Sequence, residues 1–352
     1  MINLKNIWAQ HKQRIYPVIV VLLMMAVHKY RSSHPQEQVF FQGLTMGKIT
    51  YTVKYLGNAS TTHQQGVDSV LNALNQSLST YIPNSEISRF NKNGKLQLES
   101  DFFVPVYKAS LNIFENTGGA FNPTVMPLVN AWGFGPDGKP TSVPDSLVID
   151  SLRNLVDFRA ITVNDETAKT AKPGVQLDFG AIAKGYAVDR VADYLNAQGV
   201  ENMMVEIGGE VYCSGTKGDK DWMIGIDDPV RSGKTGHLVR DAVRLKDKAI
   251  ATSGNYRNFH EIDGVKYAHT IDPFTGYPKM HTLLSVSVIA DNCMLADGYA
   301  TAFMVMGLED SRKVLEKTPE IEAFLIYSDE NGDLGTYTTT GFKSLMVDLE
   351  DL

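Results

Sequence analysis

A carboxylate, two glycines and a lysine fall close together as Asp178, Gly180, Lys184 and Gly185, within Leu177-Asp178-Phe179-Gly180-Ala181-Ile182-Ala183-Lys184-Gly185-Tyr186-Ala187-Val188-Asp189. The run reads as a strand breaking into a helix. The first turn of a helix carries unpaired N–H groups and the positive end of the dipole, and small residues there leave room for a ligand, so the junction suits phosphates. Its spacing matches neither the dinucleotide fingerprint nor the P-loop, and the plainer alternative is a tightly packed helix start with Asp178 as its cap. Far downstream, Asp297 and Thr301 stand four residues apart, on one face of a helix. A carboxylate and a hydroxyl are hard oxygen donors. Mg²⁺ commonly takes one or two protein carboxylates and completes its shell with phosphate and water, so the pair fits a metal shared with a nucleotide. An ordinary polar helix face is the alternative.

These residues need a scaffold, and the chain is long enough to build one. With 352 residues, 43% of them hydrophobic and 21% charged, it can bury a full core. A net charge of −7 without any lysine- or arginine-rich run argues against a nucleic-acid or anionic-membrane surface. Lys5, Lys12 and Arg14 precede an apolar run at residues 17–27, the arrangement of an export signal. No small-residue cleavage motif follows, so residues 1–31 are either a cleaved signal or an uncleaved anchor. The positive-inside rule then sends the remainder to the outer face of the membrane. Residues 32–44 read as a polar linker and 45–352 as one folded domain. Cys213 and Cys293 are the only cysteines, too few for a disulfide framework or a thiolate metal cluster. A single disulfide between them stays open.

Helical spacing is predicted over residues 67–78, 103–114, 186–195, 296–306 and 311–317. Strands are predicted at 49–55, 202–207, 222–226, 242–245, 249–252, 267–271 and 283–290, with glycine, proline and aspartate turns between them. Pro83 and Asn84 mark a turn, with Ser85 before Glu86 opening a short helix. Trp132-Gly133-Phe134-Gly135-Pro136 is an aromatic, glycine-rich loop that either faces a planar ligand or plugs a core seam. Strand clusters mixed with helices, without regular alternation, predict an α+β fold of mainly antiparallel sheets with packed helices.

Several motifs follow one another in an order that resembles a known family. They are Thr45-Met46-Gly47, Ser79-Thr80-Tyr81, Ser85-Glu86-Ile87-Ser88-Arg89-Phe90-Asn91, Gly119-Ala120-Phe121-Asn122-Pro123-Thr124-Val125 and Trp132-Gly133-Phe134-Gly135. After residues 177–189 come Glu206-Ile207-Gly208-Gly209-Glu210, Ala251-Thr252-Ser253-Gly254, His269-Thr270-Ile271-Asp272-Pro273-Phe274-Thr275-Gly276 and residues 296–301. Between residues 45 and 307 the chain resembles the ApbE-type FAD:protein FMN transferases, periplasmic or membrane-tethered bacterial enzymes. The resemblance implies an ApbE-like, T-fold-like α+β domain. It also implies an activity: Mg²⁺-dependent transfer of FMN from FAD to a threonine of an acceptor protein, with release of AMP. The implied acceptors are subunits of sodium- or proton-linked electron-transport complexes.

Position by position, the resemblance implies that Met46, Tyr81, Ala120, Phe121, Asn122, Asp178, Lys184 and Ile271 line the FAD site. Asp297, Thr301 and the backbone carbonyl of Ala181 are the implied metal ligands. The acceptor hydroxyl must lose a proton, and His269 is the expected base because an imidazole titrates near neutral pH. Asp272 is its expected orienter or substitute, and a strand histidine that merely satisfies a hydrogen bond is the plain alternative. Two positions depart from the family pattern. Asn122 stands where many relatives have aspartate, and Gly298 where alanine is usual, which should loosen that helix by about 1 kcal/mol. Hydrolysis of FAD to FMN and AMP would use the same machinery with water in place of threonine, and the bulk of Tyr81 is expected to restrict that water. A non-catalytic flavin carrier is a third reading, against which the Asp297/Thr301 pair speaks.

Overall fold

The computed structural model describes residues 16–22, 24–25, 37–58, 62–136, 138, 142–230, 238–254, 259–262, 264–279, 282–329 and 331–349. In its first half the elements are β1 (Glu37–Thr45), β2 (Ile49–Gly57), α1 (Gln64–Leu78), α2 (Glu86–Asn93), β3 (Lys95–Gln97), α3 (Phe103–Asn116), α4 (Met126–Ala131) and α5 (Ser146–Arg153). Next come β4 (Ile161–Val163), β5 (Thr167–Thr170), α6 (Ala183–Ala197), β6 (Met203–Ile207), β7 (Glu210–Ser214), β8 (Trp222–Asp227), β9 (Val239–Leu245) and β10 (Lys248–Gly254). The chain finishes with β11 (Phe259–Ile262), β12 (Val265–Ala268), β13 (Leu283–Ala290), α7 (Cys293–Met306), α8 (Leu308–Leu315), β14 (Glu322–Ser328), β15 (Leu334–Thr338), α9 (Thr340–Leu345) and β16 (Met346–Val347).

Eight strands make one antiparallel sheet in the order β1-β2-β6-β7-β10-β13-β14-β15. Side chains alternate between its faces, as the two-residue period of a strand requires. Ala249, Ala251, Val286, Val288, Ala323 and Leu325 point into the main core, where α1, α3, α6 and α7 bury Leu71, Phe103, Val191 and Phe303. Ile250, Ile289, Phe324 and Ile326 point the other way, onto Trp222 and Val243 of the small β16-β9-β8 sheet and Phe342 of α9. Cys213 belongs to this second cluster and Cys293 to the first; both are free and buried, which closes the disulfide question. The α+β, mainly antiparallel reading holds.

Three boundaries differ from the sequence prediction. Strand β1 begins at Glu37, inside the expected linker, because its register with β2 runs from Glu37 opposite Gly57 to Thr45 opposite Ile49. The predicted strand at 267–271 ends at Ala268, and Ile271 makes only an isolated bridge to Pro278. Leu177 to Phe179 lie in no ladder. Leu177 N–H instead donates to Asn91 Oδ1 at 2.7 Å and its carbonyl accepts from Asn91 Nδ2 at 2.7 Å, while Asp178 N–H donates to Pro123 O at 2.7 Å. Residues 16–22 and 24–25 of the expected export segment are helical and exposed; the rest of that segment lies outside the described residues. No helix among the described residues is long and apolar enough to cross a membrane.

Helices α6 and α7 pack with their N-terminal ends together and cap one another. Asp189 on α6 accepts the N–H groups of Cys293 (2.7 Å) and Met294 (2.8 Å), the first two residues of α7. Asp297 on α7 accepts the N–H of Gly185 on α6 at 2.9 Å. Each carboxylate thus satisfies donors that a helix start leaves orphaned. Asp189→Ala, which strands two N–H groups, is expected to lower unfolding free energy by about 2 kcal/mol. An unmoved denaturation midpoint would show that these caps contribute nothing. The glycine at 298 has a packing reason, since a Cβ there would meet Ile113 Cδ1 of α3 at 2.4 Å.

Candidate active site

Lys184 is the second residue of α6, Glu210 the first of β7, and Asp297 lies in the second turn of α7. The close approach of the two helices depends on Gly185, where a Cβ would stand 2.2 Å from the Cys293 carbonyl oxygen. Lys184 Nζ lies 2.6 Å from Glu210 Oε1 and 3.5 Å from Asp297 Oδ1. Both carboxylates are buried, and Glu210 Oε2 has no hydrogen-bond partner among the described residues. When all three groups are ionised, the cluster carries one positive and two negative charges. Burial works against the Lys184 charge, but Asp297 and Glu210 together outweigh it and hold the ammonium above its usual range. Burial pushes both the Glu210 and the Asp297 carboxyls up, with Lys184 pulling them back.

The expected cap at Asp178 is not the one that forms. Asp178 Oδ1 accepts Gly180 N–H at 2.8 Å, closing a turn ahead of the helix, and the cap position Ile182 offers no side-chain acceptor. Gly185 is the third residue of α6, so its N–H is one of the four that a helix start leaves without a carbonyl partner. Asp297 takes that N–H, and the first bond of the regular kind is Tyr186 N–H to Ile182 O at 3.1 Å. Ala181 precedes the cap position Ile182, and among the described residues no backbone hydrogen bond reaches its carbonyl. Thr301 lies one turn further along α7, its Oγ1 3.3 Å from Ser253 Oγ at the end of β10.

A carboxylate, a hydroxyl and a free carbonyl, in a cluster with one surplus negative charge, fit a hard divalent cation. Among the described residues there is no group of three or more His, Cys, Asp or Glu side chains arranged to hold a metal. A cation at so sparse a set of donors takes its remaining oxygens from water or a bound phosphate.

A second group of expected residues gathers on the other side of Asp178. Asn122 Oδ1 accepts from the Thr124 N–H (3.0 Å) and hydroxyl (2.6 Å), bonds an aspartate would make equally well, so asparagine keeps the turn and drops a charge. Burial pushes the Asp178 carboxyl up. Burial first, and the Asp178 charge second, raise the Tyr81 hydroxyl above its ordinary range. Tyr81 is 66% exposed and donates its hydroxyl to Phe134 O at 3.0 Å. Phe134 stacks on His260 at 4.2 Å and meets the edge of His269 at 6.3 Å. Trp132 instead plugs a core seam with Leu128, Ile149 and Ile271, its Nε1 donating to Gly276 O at 2.9 Å.

Several expectations change. Phe121 and Ile271 bury their side chains in core clusters, so only their backbones are free to meet a ligand. The N–H groups of Ala120 and Phe121 are already spent on Thr117. Asp272 builds its own turn: Oδ1 accepts from Phe274 N–H at 2.8 Å and Oδ2 pairs with Lys279 Nζ at 3.1 Å. Both oxygens of Asp272 are thus engaged by its own turn and by Lys279. Met46 occupies the tip of the β1–β2 hairpin with φ 45°, a left-handed conformation that is uncommon for a non-glycine residue. Glu210, Asp189 and Ser253 were not singled out from the sequence, although each sits inside a quoted motif. Glu210 carried the available signal, an acidic residue directly after paired glycines.

Fold and site together define an α+β protein whose two helix starts hold a partly buried lysine between two buried carboxylates. A model of the ApbE family matches residues 46–325, and the chain belongs to that family. It is 40% identical over 319 residues to an FAD:protein FMN transferase of Vibrio cholerae serotype O1, covering 89% of this chain and 94% of that one. With a protein of the same name from Haemophilus influenzae it shares 35% over 341 residues, 93% and 96% of the two chains. The solved structure of the flavin transferase ApbE from Vibrio cholerae superposes with a TM-score of 0.79 at 37% identity, over 88% of this chain and all of that one.

Proposed function

We propose that this protein is an FAD:protein FMN transferase that attaches FMN to a threonine of an acceptor protein through a phosphoester. The observation that carries the reading is the Lys184–Glu210–Asp297 cluster at the start of α6, in a chain whose relatives bear that name. The threonine hydroxyl attacks the phosphorus on the FMN side of the pyrophosphate. A new O–P bond forms, the bridging P–O bond breaks, and AMP leaves with the bridging oxygen. Mg²⁺ held by Asp297, Thr301 and the Ala181 carbonyl would neutralise pyrophosphate charge. Lys184 and the N–H groups at the start of α6 add fixed positive potential on the same side. His269 receives the proton from the acceptor hydroxyl. The apolar run behind Lys5, Lys12 and Arg14 supports a place on the outer face of the bacterial inner membrane, in the periplasm, where acceptor subunits of sodium- or proton-linked electron-transport complexes are exposed.

The test mixes the purified chain with FAD, Mg²⁺ and a threonine-bearing acceptor domain, then reads acceptor mass and free AMP with and without chelator. An acceptor that gains FMN only with metal supports the transferase. AMP and free FMN beside an unmodified acceptor would point to hydrolysis, and neither product to a flavin carrier.

Two residues supply sharper checks. His269→Ala is expected to slow transfer by about 10²–10⁴-fold and to abolish the acidic limb of the pH–rate profile. An unchanged profile would place the base elsewhere. Met46→Gly is expected to change stability by less than about 1 kcal/mol, because relief of left-handed strain is offset by the added entropy of the unfolded glycine and by the lost packing of Met46 against the main core. The same change should weaken FAD binding, since the half-buried Met46 side chain is proposed to face the flavin. Unaltered FAD affinity would show that the strained residue serves no ligand.

A further inference from the structure

Lys184 has two carboxylates within reach and does not share itself evenly, standing 2.6 Å from Glu210 and 3.5 Å from Asp297. Glu210 is buried on a different element from either partner, and its second oxygen is unpartnered among the described residues. A carboxylate held in that state costs desolvation free energy that its single ion pair only partly offsets. Its placement does two things. The ammonium is drawn toward the β6–β7 turn, and the cluster keeps a surplus negative charge. Gly208 in that turn (φ 65°) is left-handed and packs on Ile49: a Cβ there would stand 2.8 Å from Ile49 Cγ2, with Glu210 Oε2 and Lys184 Cδ at an ordinary 3.6 Å.

We infer that Glu210 is a positioning residue for the cation site, holding Lys184 off Asp297 so that the Asp297 carboxylate stays available to a divalent cation. The inference rests on the proposed reading of Asp297, Thr301 and Ala181 as that site. Once the Glu210 charge is gone, the Lys184 ammonium is left with Asp297, its other carboxylate within reach. The pair is then neutral, and an incoming cation must displace an ammonium from its own ligand. Glu210 touches neither the cation nor the substrate in this role.

The test measures Mn²⁺ binding to the purified chain without FAD, following free Mn²⁺ by electron paramagnetic resonance. Glu210→Gln, which keeps the shape and loses the charge, is expected to weaken Mn²⁺ binding by about 10–100-fold. Lys184→Met is expected to bind at least as tightly as the wild type. In that background Glu210→Gln should cost less than in the wild type, by about fivefold or more, because no ammonium remains to be held. Wild-type affinity in Glu210→Gln would overturn the inference. So would equal costs in both backgrounds, which would make Glu210 a plain negative charge. Wild-type protein that binds no Mn²⁺ with or without FAD would overturn the cation-site reading itself, a separate and visible failure. Far-ultraviolet circular dichroism and a thermal melt establish that the variants fold. Should Glu210→Gln not fold, Glu210→Asp keeps the charge on a shorter arm and is expected to weaken Mn²⁺ in the same direction; unchanged affinity there overturns the inference.

Discussion

Asp297→Asn is expected to lower FMN transfer by on the order of 10³-fold while leaving the protein folded. The carboxylate is the one charged donor of the proposed cation site, and a metal that polarises a phosphoryl oxygen is worth several kcal/mol, each 1.4 kcal/mol being a factor of ten. Folding should survive because the asparagine carbonyl can still accept the Gly185 N–H that Asp297 takes at 2.9 Å. Lys184 keeps its closer partner, Glu210 at 2.6 Å, so no buried charge is stranded. The cluster moves from one surplus negative charge to none, which removes the attraction for a cation without removing the cap. Transfer assays at rising Mg²⁺, with a thermal melt of the same protein, separate the two effects. Near-wild-type turnover at ordinary Mg²⁺ would exclude Asp297 as the metal ligand.

Gly185→Ala should be the most damaging single methyl group in the chain. Its Cβ would sit 2.2 Å from the Cys293 carbonyl oxygen, 2.6 Å from the Cys293 carbonyl carbon and 2.8 Å from Asp297 Cβ. The first two are backbone atoms that no rotamer change can move, so α6 and α7 must separate. Alanine's better helix propensity returns about 1 kcal/mol. Overpacking at a backbone contact costs about 3 kcal/mol or more, and the Gly185–Asp297 hydrogen bond is stretched as well, so the clash wins. The same displacement shifts Asp297 on α7 relative to Lys184 on α6, and a misplacement near 1 Å costs about 100-fold in rate. Denaturation midpoint and transfer rate should therefore fall together. A stable Gly185→Ala protein with normal activity would mean that the helices have slack at this crossing.

How much was legible beforehand follows the range of each interaction. Helix α2 opens at Ser85, whose Oγ accepts Ser88 N–H, and closes at Gly94 in the left-handed conformation. Both signals lie within a few residues of the bonds they make. The stretch from Leu177 to Phe179 misled because an apolar run can satisfy its backbone in more than one way. Its partners, Asn91 and Pro123, are remote in sequence, and no local pattern announces them. Asp272 was placed beside His269 by proximity along the chain, yet the turn it starts and Lys279 claim its oxygens.

Legible along the chain are the α+β class, most of the strands and helices, and the carboxylate–hydroxyl pair of Asp297 and Thr301, which rest on periodicity, capping and spacing among near neighbours; the family is legible in the order of the motifs between residues 45 and 307. What had to wait for the folded chain is which carboxylate Lys184 stands closer to, that Asp297 caps α6, and that Glu210 joins Lys184 and Asp297. Each depends on groups from separate elements meeting within about 3 Å in the interior. There a few tenths of an ångström and the loss of solvent settle which pairing wins.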